Sequence, residues 1–323
     1  MVRMKGTKTI SIAAVVLFLF VIPLMTSSPY HMHVLITILL YIMVTASFRF
    51  CIIDGDWPFA HVPLMGLGGY TSALLVMRLG WPFLPAFFTG GLVAVIAGLI
   101  IYIPCVRTRG ITFFWITWAF GEALRQTWIR FREPFGGATG LVGIPGPVIS
   151  IPGLFRVEFL SQVSYYYLAL VLALLTIVVL HRLEHSRVGL TLKSVGENTD
   201  LAESTGINVT RQRLLALTIA SFIAGLGGSF YAHWVHLLTP VDFDVAFGLF
   251  VLLYAVVGGT ATLWGPIVGV TAFVILAQFL RGFAMYVPAI YGFILILTLA
   301  FLPEGLESSP RRILSLLKKR KMK

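Results

Sequence analysis

Apolar residues run through this chain in long stretches broken by short polar connections. A helix rising about 1.5 Å per residue needs about 20 residues to cross a hydrocarbon core of about 30 Å. Stretches of that kind lie at 10–27, 34–53, 60–79, 83–106, 111–130, 162–181, 212–236, 244–262, 265–281 and 285–302. The pattern predicts an all-α fold, a polytopic transmembrane bundle of about ten spans. The third span and the eighth to tenth are rich in glycine and separated by little polar sequence, so one or two are expected to be re-entrant or broken. Such backbone is tolerated at membrane depth where protein or a watery cavity covers it. The first span follows Arg3, Lys5 and Lys8 and has the shape of a signal peptide. No clear small-residue cleavage site follows at Thr26-Ser27-Ser28-Pro29, so it reads as an uncleaved span.

Composition sharpens the class. Hydrophobic residues make up 58% of the 323 and charged residues only 11%, against about 25% in a soluble domain. A soluble core could not hide so much apolar surface. The whole of 1–323 reads as one membrane-spanning domain, with a bundle over about 10–302, a polar loop at 182–211 and a basic tail at 303–323. The formal charge of +11 is not a nucleic-acid signal, because the basic residues flank apolar runs instead of forming one basic face with interleaved aromatics. Basic clusters in such places orient spans and meet anionic headgroups of membrane lipid. An even span count with both termini in the cytoplasm brings Arg107, Arg109, Arg182, Arg187, Lys193, Arg211 and Arg213 inside, with Arg49 near that face. The expected place is the cell membrane. Cys51 and Cys105 lie in or beside apolar runs and read as small buried hydrophobes.

Candidate chemistry is sparse. Glu122 is a carboxylate well inside a span, and Arg125 shares its helix face at i+3, so the two can pair. Intramembrane charges are candidates for function because lipid exposure costs so much, and a structural ion pair is the alternative. Glycine clusters at 66–69, 90–91, 225–228 and 258–259 suit close helix packing, or the lining of a pathway. His181 with His185, and His233 with His236, lack an HExxH context, and no metal site is expected. Lys193-Ser194 lacks the Gly-x-x-x-x-Gly that precedes a P-loop lysine, so ATP hydrolysis is not expected of this chain. Paired carboxylates or a Ser/His pair that would mark a membrane enzyme do not stand out.

The polar loop is more telling. Asn198 or Thr199 can cap a short helix with Asp200 in its first turn, and Gly206 can end it. A capped surface helix between two spans suits docking into a groove of another protein.

That loop, Asp200-Leu201-Ala202-Glu203-Ser204-Thr205-Gly206-Ile207-Asn208, runs on into Ala224-Gly225-Leu226-Gly227-Gly228-Ser229. It resembles the coupling loop and following helix of the LivM-type branched-chain amino-acid ABC transporter permeases. Other segments agree in order: Met65-Gly66-Leu67-Gly68-Gly69-Tyr70-Thr71, Thr117–Arg125, Gly136-Gly137 through Pro145, Gly258-Gly259 through Gly269, and Pro303-Glu304-Gly305-Leu306. The resemblance spans about 35–307. It implies the permease subunit of an ATP-driven importer of branched-chain or other hydrophobic amino acids. It also implies a second, LivH-like permease, two cytoplasmic ATPases carrying ATP-Mg, and an external binding protein. It assigns Glu197, Asn198, Asp200, Ala202, Glu203 and Gly206 to the ATPase contact, with Ala202 facing the partner closely. It points to Gly68, Gly69, Thr71, Glu122, Arg125, Gly258 and Gly259 along the pathway. The segment Asp54-Gly55-Asp56-Trp57-Pro58-Phe59-Ala60-His61 departs from the family pattern near that presumed pathway, and so does Gly259-Thr260-Ala261-Thr262. Urea and short amides are carried by closely similar permeases. A channel or ion-coupled secondary transporter is the alternative from another class.

Overall fold

The computed structural model describes residues 17–24, 28–151, 155–159, 161–301 and 305–308. Most of the first expected span and nearly all of the basic tail lie outside these residues. Helices occupy the positions of the remaining nine expected spans. They are α1 (Pro29–Ile52), α2 (His61–Leu79), α3 (Phe83–Cys105), α4 (Gly110–Arg130), α5 (Gln162–Glu184), then α8 (Val209–Val235), α9 (Val245–Gly258), α10 (Trp264–Phe279) and α11 (Val287–Phe301). Between α5 and α8 the polar loop folds into α6 (Arg187–Glu197) and α7 (Thr199–Ser204). The chain is an all-α membrane bundle.

Among the described residues six helices are long and apolar enough to cross a membrane: α1, α2, α3, α5, α8, and α10 with the turn that follows it. Helix α4 is also long, at 21 residues, but Glu122, Arg125 and Gln126 dilute its apolar content. Helix α9 has 14 residues and extends about 21 Å, short of a crossing. The irregularity expected of the late spans is therefore a real shortening.

Helix α1 forms the axis. From Ile36 to Ile52 nearly every side chain is buried, against α5, α8, α9 and α10 around it. Helices α2, α3 and α8 interlock beside it through glycine. A Cβ on Gly68 would collide with the Gly225 carbonyl, and one on Gly228 with the Met65 carbonyl. A Cβ on Gly90 would stand 2.6 Å from the Gly68 oxygen. The backbones themselves are in contact there, which only residues without a side chain permit.

The second helix starts inside the bundle. Residues 57–60 climb back alongside α1, so that His61 Nε2 lies 3.0 Å from Ser47 Oγ, five residues before α1 ends. At the far end of the molecule two short ribbons form. Strand β1 (Leu141–Val142) pairs antiparallel with β4 (Leu237–Leu238), and β2 (Val148–Ile151) with β3 (Phe155–Glu158).

Candidate functional site: a helical hairpin, two ion clusters and a cavity at mid-depth

The α6–α7 hairpin is built by its caps. Asn198 Oδ1 accepts from the Leu201 N–H at 3.0 Å and starts α7, one of the two caps expected. At the other end Ile207 N–H donates to the Ala202 carbonyl at 3.1 Å, and Gly206 N–H to the Glu203 carbonyl at 2.9 Å. This pair of bonds is a Schellman closure, and Gly206 supplies the left-handed residue it needs, with φ 86°. Such a closure brings the side chains at its two ends together, and here Ala202 packs with Ile207, Val195 and Val209. The Ala-x-x-x-Gly spacing thus has a folding reason: the alanine and the glycine stand at the two ends of one cap. It also corrects an expectation. Ala202 is 3% exposed and faces the hairpin's own core, not a partner. Leu201, 62% exposed, is the apolar side chain α7 presents outward, alongside Asp200, Glu203 and Ser204.

Beneath the hairpin lie two buried ion clusters. Arg49, at the end of α1, forms a bidentate pair with Glu184, at the end of α5, through bonds of 2.6 and 3.1 Å. Lys193 of α6 reaches the same carboxylate at 2.9 Å. Arg49 Nε and Nη2 also donate to the Thr260 and Ala261 carbonyls, each at 2.9 Å, in the turn after α9. That turn is held in addition by Glu307, which accepts from Thr262 N–H at 3.0 Å and from Thr262 Oγ1 at 2.6 Å. One arginine therefore ties α1, α5 and the α9–α10 turn together, and the shared carboxylate adds the hairpin.

The second cluster joins Arg213 of α8 to Asp56 at 2.5 Å and, more loosely, to Asp54 at 3.9 Å. Asp56 also accepts from Gly110 N–H at 3.1 Å. Burial pushes the Asp54 carboxyl up to about 7, more than Arg213 pulls it down. Within the segment that departs from the family pattern, Asp56 is a buried partner for Arg213.

At the opposite end α8 finishes with two histidines that clamp the loop following β1. Carbonyls only accept, so His233 Nδ1–H donates to Pro145 O at 2.7 Å and His236 Nδ1–H to Ile144 O at 2.8 Å. The Nε2 atoms are then free to accept, from Ser72 Oγ at 3.0 Å and Tyr165 OH at 3.3 Å. The described residues hold no group of three His, Cys, Asp or Glu that could bind a metal.

The expected pathway residues divide. Gly68 and Gly69 meet α8 in helix contact, where a Cβ on Gly69 would lie 2.9 Å from Gly228 O. Gly258 packs against Gly265 of α10, and Gly259, with φ 120°, makes the turn beyond α9. This is the packing account of those glycines. Thr71 is partly buried. Glu122 and Arg125 do pair, through bonds of 2.8 and 2.6 Å, and Gln126 adds a third to the same carboxylate at 2.6 Å. Glu122 lines a narrow crevice with Trp118, Phe243 and Asp244, and Asp244 attracts Arg125.

On the other side of Phe243 and Asp244 opens a cavity of about 310 Å³, lined by Tyr41, Met65, Tyr231, Asp242, Phe247 and Phe250 among others. Tyr41 is the thirteenth of the 24 residues of α1, so the cavity stands halfway down the bundle. Residues 239–244, expected near a span end, dip to that depth. Asp242 accepts from Thr239 N–H at 2.8 Å and Thr239 Oγ1 at 2.9 Å, and Asp244 caps α9 by accepting from Phe247 N–H at 2.9 Å. Sequence reasoning missed these two carboxylates because Asp242 falls in the connection expected between the spans at 212–236 and 244–262, and Asp244 is the first residue of the latter.

Comparison with known proteins places these features. The sequence profile of the family described as branched-chain amino acid transport system / permease component matches residues 30–302. The high-affinity branched-chain amino acid transport system permease protein LivM of Salmonella typhimurium is 29% identical over 268 residues, covering 77% of this chain and 63% of its own length. Its namesake from Escherichia coli is 28% identical with the same coverage. The chain thus spans under two thirds of the length of these relatives. A nucleoside ABC transporter permease protein, NupC of Lactococcus lactis, is 34% identical over 122 residues, 38% of this chain and 36% of its own. No solved structure matches.

Proposed function

Because the chain belongs to the branched-chain amino acid transport permease family, we propose that it is the membrane-spanning subunit of an ATP-driven importer for branched-chain amino acids. Hydrolysis belongs to separate ATPase subunits, and the chain works beside a second, LivH-like permease and an external binding protein. Both termini and the α6–α7 hairpin face the cytoplasm, and the β1–β4 end faces outward.

The observation that carries this reading is the capped hairpin with Leu201 exposed. A short helix held shut by an Asn cap and a Schellman closure is shaped before any partner arrives, so little ordering is left for docking. Its neighbours Arg49, Glu184 and Lys193 give a push on the hairpin a route to α1, α5 and the α9–α10 turn. The test is Leu201→Glu in the assembled transporter. The side chain lies outside every span, so the permease should accumulate normally. ATP-dependent uptake of leucine into vesicles should fall at least tenfold, and the ATPases should co-purify poorly. Uptake and association equal to the parent's would remove the hairpin as the contact.

The local likeness to nucleoside permeases favours a second cargo reading. Parallel uptake of tritiated leucine and uridine by the parent separates the two, and uptake that persists without ATP would return the channel reading.

A further inference from the structure

The cavity at mid-depth holds two carboxylates, and lipid cannot be what covers them. Charged groups at this depth face protein or water. Irregular backbone such as 239–244 is likewise restricted to protein-covered or water-lined places. The volume of about 310 Å³ lies at the lower end of the range of small-molecule sites, about 300–1,000 Å³.

The sign of the field follows from the caps. A helix beginning at mid-depth would ordinarily offer its N-terminal N–H groups to an anion. In α9 that place is already taken, because Asp244 accepts from Phe247 N–H at 2.9 Å. Asp242 stands beside it, and among the described residues no lysine or arginine lines the cavity, while Asp244 also attracts Arg125. Tyr41 and Tyr231 add aromatic faces, and a ring face attracts a cation. Phe247, Phe250 and Met65 supply apolar wall.

We propose that this cavity is the substrate's station in mid-membrane, and that it recognises an amino acid by its ammonium group, held between Asp242, Asp244 and the tyrosines, with the aliphatic side chain against Phe247 and Phe250. The inference rests on the amino-acid importer reading and adds to it the end of the substrate that is read. It gives a reason for an amino acid over a nucleoside, which carries no ammonium group.

The test uses the assembled transporter in nanodiscs without its binding protein, so that only the permease is probed. Tritiated leucine is displaced by isopentylamine, which keeps the ammonium, or by 4-methylpentanoate, which keeps the carboxylate. Isopentylamine should compete and 4-methylpentanoate should not. In D242N and D244N the amide oxygen still caps and accepts while the charge is gone, so the fold should stay and leucine affinity should fall tenfold or more. Parent-like binding in both Asn variants, or displacement by the carboxylate alone, would overturn the proposal while leaving ATP-dependent leucine uptake intact. Uptake of uridine in place of leucine by the parent would instead bring down the cargo reading on which it rests.

Discussion

The two ends of the bundle are fastened by different chemistry. Below the hairpin the fastening is ionic and buried: Arg49 with Glu184, and Arg213 with Asp56. At the β1–β4 end it is neutral, two histidines donating to the backbone of a loop. A buried ion pair contributes little net stability compared with an apolar isostere, yet losing one partner is costly because the other charge is stranded. A neutral hydrogen bond contributes about 1 kcal/mol and leaves a smaller debt when broken. The hairpin end is thus held in one arrangement or not held at all, while the strand end can loosen by degrees.

The sharpest way to break the contrast is Glu184→Ala. It leaves Arg49 buried with two backbone carbonyls in place of a carboxylate, at an expected cost of about 3–5 kcal/mol. Thermal unfolding in detergent should shift far down, and yield should drop. Pairing the change with Arg49→Met should restore much of the loss, since both charges are then gone. If the single variant melts like the parent, the cluster is not a fastening.

A change in pH probes the second cluster. Asp54 titrates near 7 when folded and near 3.8 when free, so the folded state holds its proton over that window. Its contribution is complete at low pH and is lost as pH rises from about 4 to about 7, by a few kcal/mol at most. Asp54→Asn cannot lose a proton, so the difference in stability between variant and parent should grow with pH across the window. A constant difference would mean that Asp54 is charged throughout.

The smallest effect belongs to the opposite end. His233→Ala frees the Pro145 carbonyl and Ser72, at an expected cost of about 1–2 kcal/mol. Amide exchange in 141–147 should quicken, while that of α6 and α7 stays as in the parent. Equal quickening at both ends would dissolve the distinction between them.

Much of this was legible in the sequence, for reasons that can be given residue by residue. Span positions follow from composition alone, and Asn198 and Gly206 announce their caps because capping is local chemistry. The Glu122–Arg125 pair follows from helix spacing. Contacts between distant segments are a different matter. Arg49 and Glu184 are 135 positions apart, and nothing local to either says that the other is its partner. Asp242 sits where hydropathy marks a connection and Asp244 at the edge of a span, and only the fold lowers that segment into the bundle. Ala202 reads as a small residue for a tight approach, and the approach is real, but it is to Ile207 and Val209 within the same hairpin.

The glycine contacts among α2, α3 and α8 have a mechanical consequence. Where backbones touch, no layer of side chains remains to slide or repack, so these three helices would move as a single lever in any change of the bundle's shape. The lever has its handle at Asn208, where α8 leaves the hairpin. Its margins are the non-helical residues 57–60 on one side, and on the other the turn at Gly259, one end of the short helix whose other end borders the cavity. A tilt applied at the handle would act along the roughly 40 Å of α8, a 27-residue helix, toward the strand end.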